Sequence, residues 1–412
     1  MIKFDEFELQ NGLKVLVHED KTTPLATVNI LYNVGAKHEK ESKTGFAHLF
    51  EHFMFEGSKN IKEFDSEMQK AGGDNNAFTT NDFTNYYETL PATNIETAFW
   101  LESDRMLELD FNQESLDTQI SVVSEEFKEN YINKPYGDLW HGISDLAYKT
   151  HPYKWPTIGY NLQHIESITL EETKQFFYEF YRPKNAILTV AGNVKTSEIE
   201  QLAKKWFGAI EPGKANTIVL EKEAKQTQTR RKTLEAKVPL DKLYLAFHIC
   251  SRLDKDYYAV DLLSDILGEN TTSRLYQKLV KEQKLVSSIN CFISGSDENG
   301  LIVIDATLNE DVDFETVEKN IFDVINTLQK GNLESRELEK VKNKAINYLA
   351  FSNISNVSKT FNMAHFKKMN QLDLLNNERM FYKEVKTNEV LNCAQKYLNI
   401  ENCSILNYKA IK

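Results

Sequence analysis

Gly45-Phe46-Ala47-His48-Leu49-Phe50-Glu51-His52-Phe53-Met54-Phe55-Glu56-Gly57 carries the pattern that decides how this chain is read. Its apolar residues predict one short helix, with Gly57 as the stop. His48 and His52 are four apart, so they stand one above the other on a single helical face. Two imidazoles held that way can share one zinc ion at bond lengths of about 2.0–2.1 Å. Glu51 follows His48 by three residues and precedes His52 by one, so its carboxylate flanks the pair and can act on a held water without being a ligand. The order H-x-x-E-H inverts the commoner H-E-x-x-H, and the same division of labour serves both. Phe46, Leu49, Phe50, Phe53, Met54 and Phe55 make the surroundings partly dry, which strengthens the electrostatics of such a site. Two histidines on an amphipathic helix are more often an ordinary surface feature, so the metal reading needs a third ligand.

Working outward, residues 3–33 predict antiparallel strands. Phe4 to Leu9 alternates, Asn11-Gly12 is a hairpin turn, Leu13 to Val17 follows it, and Ala26 to Val34 is a third strand. Residues 35–44 predict a polar loop that delivers the chain to the histidine helix. Downstream, Ala71-Gly72-Gly73-Asp74-Asn75-Asn76-Ala77-Phe78-Thr79-Thr80 opens on small and polar residues and turns β-rich. A strand edge of that composition can accept an extended peptide by main-chain hydrogen bonding, and an ordinary hairpin fits the same residues. Helical periodicity returns over 94–109 and again over 113–131. The second of these helices carries Glu125, Glu126 and Glu129, with Ile120, Val122, Val123 and Phe127 predicted on its buried side. Any of the three glutamates would complete a two-histidine, one-carboxylate zinc site with an open position, and periodicity does not choose among them.

The 412 residues are 41% hydrophobic and 27% charged, which suits a globular chain with room for large cores. A net charge of −12 argues against general nucleic-acid binding. Cys250, Cys291, Cys393 and Cys403 are far apart, without a C-x-x-C pair, so reduced buried thiols are expected. With no apolar run of about 18 residues and no signal-like start, a membrane span is not expected. The expected compartment is the cytoplasm, or the periplasm or an organelle if a targeting segment lies outside this sequence.

Residues 209–235 lose their apolar content, and from Ala236 a similar succession of strands and helices begins again. The expected organisation is a zinc-binding α+β domain over 1–213, a linker over 214–235 and a homologous α+β domain over 236–412. In the second, the helix near 257–267 takes the place of the histidine helix but carries Asp261 and Asp265 and no histidine, so only the first copy can hold metal.

His48-Leu49-Phe50-Glu51-His52, the Gly-Gly-Asp-Asn-Asn-Ala-Phe-Thr stretch and Val122-Val123-Ser124-Glu125-Glu126 together resemble the pitrilysin/insulinase-type zinc peptidases. Asn133-Lys134-Pro135-Tyr136-Gly137 and His151-Pro152-Tyr153-Lys154-Trp155-Pro156-Thr157-Ile158-Gly159 point to a bacterial branch similar to the mitochondrial processing peptidase. The resemblance implies two homologous domains, each a mainly antiparallel sheet covered by helices, forming a clamshell. It implies one Zn2+ per chain, held by His48, His52 and Glu126, with Glu51 as general base. Glu126 stands 74 positions after His52 in the Val-Val-x-x-Glu context, whereas Glu129 lacks that context. Asn76, Ala77, Phe78 and Thr79 match the family's substrate-binding strand edge.

The implied activity is zinc-dependent hydrolysis of unfolded peptides enclosed between two domains or two subunits. The rival is a non-catalytic subunit of a processing-peptidase-like complex. Many relatives carry a glutamate seven positions before the third ligand, where this chain has Gln119. An Arg and a Tyr that relatives set against the substrate backbone are not located here; Arg274 and Tyr276 read as structural. That gap points to a homodimer or to a heterodimer with a homologous zinc-less subunit.

Overall fold

Runs of β-branched and aromatic residues between turn signals build two sheets, seen in a computed structural model that describes residues 1–295 and 297–411. The first sheet contains β1 (Asp5–Glu8), β2 (Lys14–Glu19), β3 (Leu25–Tyr32), β4 (Asp74–Thr79), β5 (Thr84–Pro91) and β6 (Ala186–Gly192). Their order across the sheet is β1-β2-β6-β3-β5-β4. Only β2 and β6 run parallel; the other neighbours are antiparallel. The second sheet contains β7 (Arg230–Ala236), β8 (Lys242–His248), β9 (Val286–Ser294), β10 (Leu301–Leu308) and β11 (Cys403–Ala410), in the order β7-β11-β8-β10-β9. Here β7 and β11 are the parallel pair.

Setting β1 aside, the two sheets share one wiring. In each, the last strand of the set inserts between the first and second, and the fourth lies between the second and third. The faint repeat read from the sequence is therefore explicit in the topology. It gives two mixed, mainly antiparallel sheets clothed by helices, an α+β fold as expected.

The compact units interleave along the chain. One comprises Met1–Lys128, Trp155–Val219 and Ala350–Asn377; the other comprises Glu129–Lys154, Leu220–Leu349 and Glu378 onward. In the first unit the helix Asn356–Lys368 packs on β3 and β6. Its Met363, Ala364 and Phe366 are buried with Leu16, Leu31, Ile187 and Ala191. In the second unit the helix Leu139–Ala147 packs on β7, β8 and β11. Its Leu139, Ile143 and Ala147 are buried with Ala246, Val303 and Leu406. Each sheet thus takes a covering helix from the opposite half of the sequence, which a single boundary near 213 does not describe. The polar stretch expected to be a linker up to 235 ends earlier, because β7 begins at Arg230. An edge strand hydrogen-bonds on one side only and keeps charged residues outward, so its composition reads as a linker.

Among the described residues no helix is long and apolar enough to cross a membrane. All four cysteines are free and buried.

Candidate metal centre

The helix Phe46–Phe53 lies against β4 and against the helix Gln113–Phe127. Its inner face is aromatic. Phe50 packs on Phe176, Phe177 and Tyr181, and Phe53 stacks on Phe111 at 5.8 Å between ring centres. That apolar anchorage leaves His48, Glu51 and His52 on the other, half-buried side. The two imidazoles sit edge to face, 4.9 Å between centres.

Glu126 completes the cluster. Its Oε2 lies 3.8 Å from His48 Nε2 and 3.6 Å from His52 Nε2. Among the described residues this is the one group of three His, Cys, Asp or Glu side chains able to hold a metal ion, with its ligand atoms all within 4.8 Å of one another. Bonds of about 2.0–2.2 Å in a tetrahedral shell put neighbouring ligand atoms about 3.3–3.5 Å apart. The two carboxylate–imidazole spacings are within a few tenths of an ångström of that, and two imidazoles plus one carboxylate are a donor set zinc accepts. The residues fit the ion.

The structure separates the three glutamates that periodicity left open. Glu125 turns outward and pairs with Lys128 at 2.7 Å, and Glu129 is exposed. The buried line of their helix is Leu116, Gln119, Val123 and Phe127, whereas Val122, expected inside, is 45% exposed. A helix this close to the edge of its core buries one narrow stripe, and Val122 falls outside it. Gln119 is buried and donates to Glu56, on the turn that follows the histidine helix.

Burial disfavours charge throughout the site. It holds His48 at about 4, with the nearby His52 adding to the effect, and it also lowers His52. Both rings therefore stay neutral, with lone pairs free for a metal. Burial raises the Glu126 carboxyl, and raises that of Glu51 as well. In Glu51 a hydrogen bond from Thr79 pulls the other way and the Glu126 charge adds to the rise.

Strand β4 forms the outer edge of the first sheet. Asn76, Ala77, Phe78 and Thr79 pair on one side with Tyr87, Tyr86, Asn85 and Thr84 of β5. Thr79 Oγ1 donates to Glu51 Oε2 at 2.5 Å, which ties the strand edge to the acidic residue of the motif. This link was not legible in the sequence, since 28 residues separate the partners. Ala77 N–H donates to Oδ1 of its neighbour Asn76 at 2.7 Å. In the second unit Arg274 makes a two-pronged pair with Glu337, at 2.8 and 2.6 Å, consistent with a structural role.

The family model described as Insulinase (Peptidase family M16) matches residues 14–158, and that described as Peptidase M16 inactive domain matches residues 167–345. The chain is 30% identical over 403 residues to the Zinc protease PqqE of Helicobacter pylori, covering 96% of this chain and 90% of that protein. It is 27% identical over 206 residues to the mitochondrial-processing peptidase subunit beta of Saccharomyces cerevisiae, covering 49% of this chain and 44% of that protein. A crystal structure of a protease from Helicobacter pylori superposes with a TM-score of 0.92 at 28% identity, spanning 99% of this chain and 100% of that one.

Proposed function

The chain belongs to the insulinase family of peptidases, M16, and from that premise we propose that it is a zinc-dependent endopeptidase acting on extended, unfolded peptides. One observation carries the reading: His48, His52 and Glu126 converge within 4.8 Å beside a glutamate that is bonded to a free sheet edge. These three residues would hold the ion and leave a coordination position open. When bound, zinc supplies Lewis-acid polarisation of the scissile carbonyl and acidifies water.

The remaining work falls to the chain's own groups. Glu51 takes the proton from the attacking water and delivers it to the departing amine nitrogen. Its raised proton affinity suits it to both halves of that transfer, and Thr79 holds the carboxyl in place from the strand edge. The exposed side of β4 pairs with the substrate backbone along Asn76, Ala77, Phe78 and Thr79, as in strand addition to an edge. A second subunit, identical or homologous and zinc-less, supplies the substrate contacts that are not located here.

The alternative of a non-catalytic subunit draws on the inactive-domain match. That match covers 167–345, whereas every residue assigned to the chemistry lies within 14–158, the part matched by the insulinase model. Metal analysis together with cleavage of a quenched peptide tests the proposal. About one zinc per chain is expected, with cleavage abolished by a chelator and restored by added zinc. A chain that carries no zinc, and that stays inactive when mixed with a homologous partner, overturns it.

A further inference from the structure

The histidine helix has only eight residues, and a helix that short is costly to nucleate. Its N-cap is Gly45, in the left-handed region at φ 87°, which offers no side chain to the orphan amides of the first turn. The first turn itself holds no acidic residue. Glu39, six residues upstream, does the capping instead. Its Oε2 accepts from Gly45 N–H at 2.9 Å and its Oε1 from Ala47 N–H at 2.7 Å. One carboxyl group therefore spans the start of the helix.

A second observation makes this matter for the site. Metal-bound histidines ordinarily donate their remaining ring N–H to an outer partner that fixes the ring. His48 Nδ1 is buried with no hydrogen-bond partner among the described residues. The direction of its Nε2 is therefore set by where the backbone of residues 45–48 lies, and the carboxylate bonded to that backbone is Glu39.

We infer that Glu39 is the positioning residue for the metal pair: by clamping the Gly45 and Ala47 amides it sets the phase of the helix and so aims His48 at Glu126 and His52. Burial pushes the Glu39 carboxyl up to about 8, while the amides of Ala47, Gly45 and Phe46 pull it down. A glutamine in its place keeps the shape but has one oxygen to offer in place of two.

The inference rests on the zinc reading for its consequence, but the clamp can be tested without metal. In metal-free Glu39→Gln, hydrogen exchange at the Gly45 and Ala47 amides should rise roughly tenfold. Equilibrium zinc affinity should fall about 10–100-fold, the usual cost of losing an outer-shell partner. Ser355→Ala is the control. Ser355 caps the helix Asn356–Lys368 of the same unit, accepting from Ser358 N–H, and that helix packs on β3 and β6, so its loss should lower stability and leave zinc affinity unchanged. Glu39→Asp, which keeps both carboxyl oxygens on a shorter arm, should recover part of the affinity. Wild-type exchange at both amides in Glu39→Gln, or an equal fall in zinc affinity in Ser355→Ala, overturns the inference. Should the wild-type chain bind no zinc, the zinc reading fails, and the amide exchange alone decides whether Glu39 is the clamp.

Discussion

The two units place the same kind of helix at the same point of the same sheet wiring and put different chemistry on it. Phe46–Phe53 follows β3 and packs on β4; Tyr257–Gly268 follows β8 and packs on β9. The first presents two neutral imidazoles to one carboxylate, Glu126. The second carries Asp261 and Asp265, also four apart. Burial pushes Asp265 up to about 6, the neighbouring Asp261 adds to the rise, and Lys344 and Lys340 pull it down. Asp261 accepts from Tyr382 at 2.5 Å and is raised by burial against the charges of Arg252 and Lys344. In the second unit the negative charges are answered by cations of the chain itself. In the first, lone pairs converge with no cation of the described residues paired to them. One scaffold therefore supports two outcomes, and the side chains decide which.

The largest expected effect in this comparison is at Glu51. Glu51→Gln removes the proton acceptor while leaving His48, His52 and Glu126 in place. It should retain zinc at about one per chain and lose about 10²–10⁴-fold in kcat. Peptide turnover measured beside metal content checks this, and normal turnover by the variant would remove Glu51 from its role. The next effect is on metal itself. Glu126→Gln should weaken zinc by about 100-fold or more, because a neutral amide is a poor substitute for the one anionic ligand. Asp265→Asn, on the equivalent helix of the other unit, should leave zinc affinity unchanged. Equal losses in the two variants, read by competition with a chromogenic chelator, would erase the distinction between the units.

Much of this distinction was legible in the sequence, for identifiable reasons. His48 and His52 could be paired because a helical repeat fixes neighbours four apart, and the aspartates of the second copy could be contrasted with them by the same rule. The choice among Glu125, Glu126 and Glu129 could not be made by period, since all three flank the apolar stripe; only the packing of two helices, which leaves Val122 outside, aims Glu126 inward. The bond from Thr79 to Glu51 and the clamp by Glu39 are contacts between elements, and the loop over 35–44 gave no periodic signal at all. The exchange of covering helices was equally hidden. Nothing local in Asn356–Lys368 or Leu139–Ala147 says which sheet its apolar side will meet. Gln119 was visible as a departure from relatives, and its structural partner, Glu56, was not.

The smallest expected effect concerns those two covering helices, which are tied to their sheets by different forces. Lys359, on the helix of the first unit, pairs with Asp20 in the turn after β2 at 2.5 Å, both side chains being about nine-tenths buried. In the second unit, Arg230 of β7 donates to the carbonyls of Leu146 and Ala147, at the end of its helix. The Lys359 ammonium, helped by Thr22, holds the Asp20 carboxyl well below the usual carboxylate range. A carboxylate lowered on folding contributes stability that is complete above its unfolded value of about 3.9 and is lost as the pH falls through the folded value. Asp20→Asn should therefore cost about 1.5–3 kcal/mol at pH 7, and its deficit should shrink as the pH drops below about 4. Arg230→Gln should cost a comparable amount, and its deficit should persist in acid, because carbonyl oxygens do not titrate in that range and the 3.9 Å approach of Arg230 to Glu223 is too long to dominate. Thermal unfolding of both variants from pH 7 to pH 3 separates the cases. A deficit for Asp20→Asn that stays constant across that range would mean the first helix is held, like the second, by bonds that do not depend on charge.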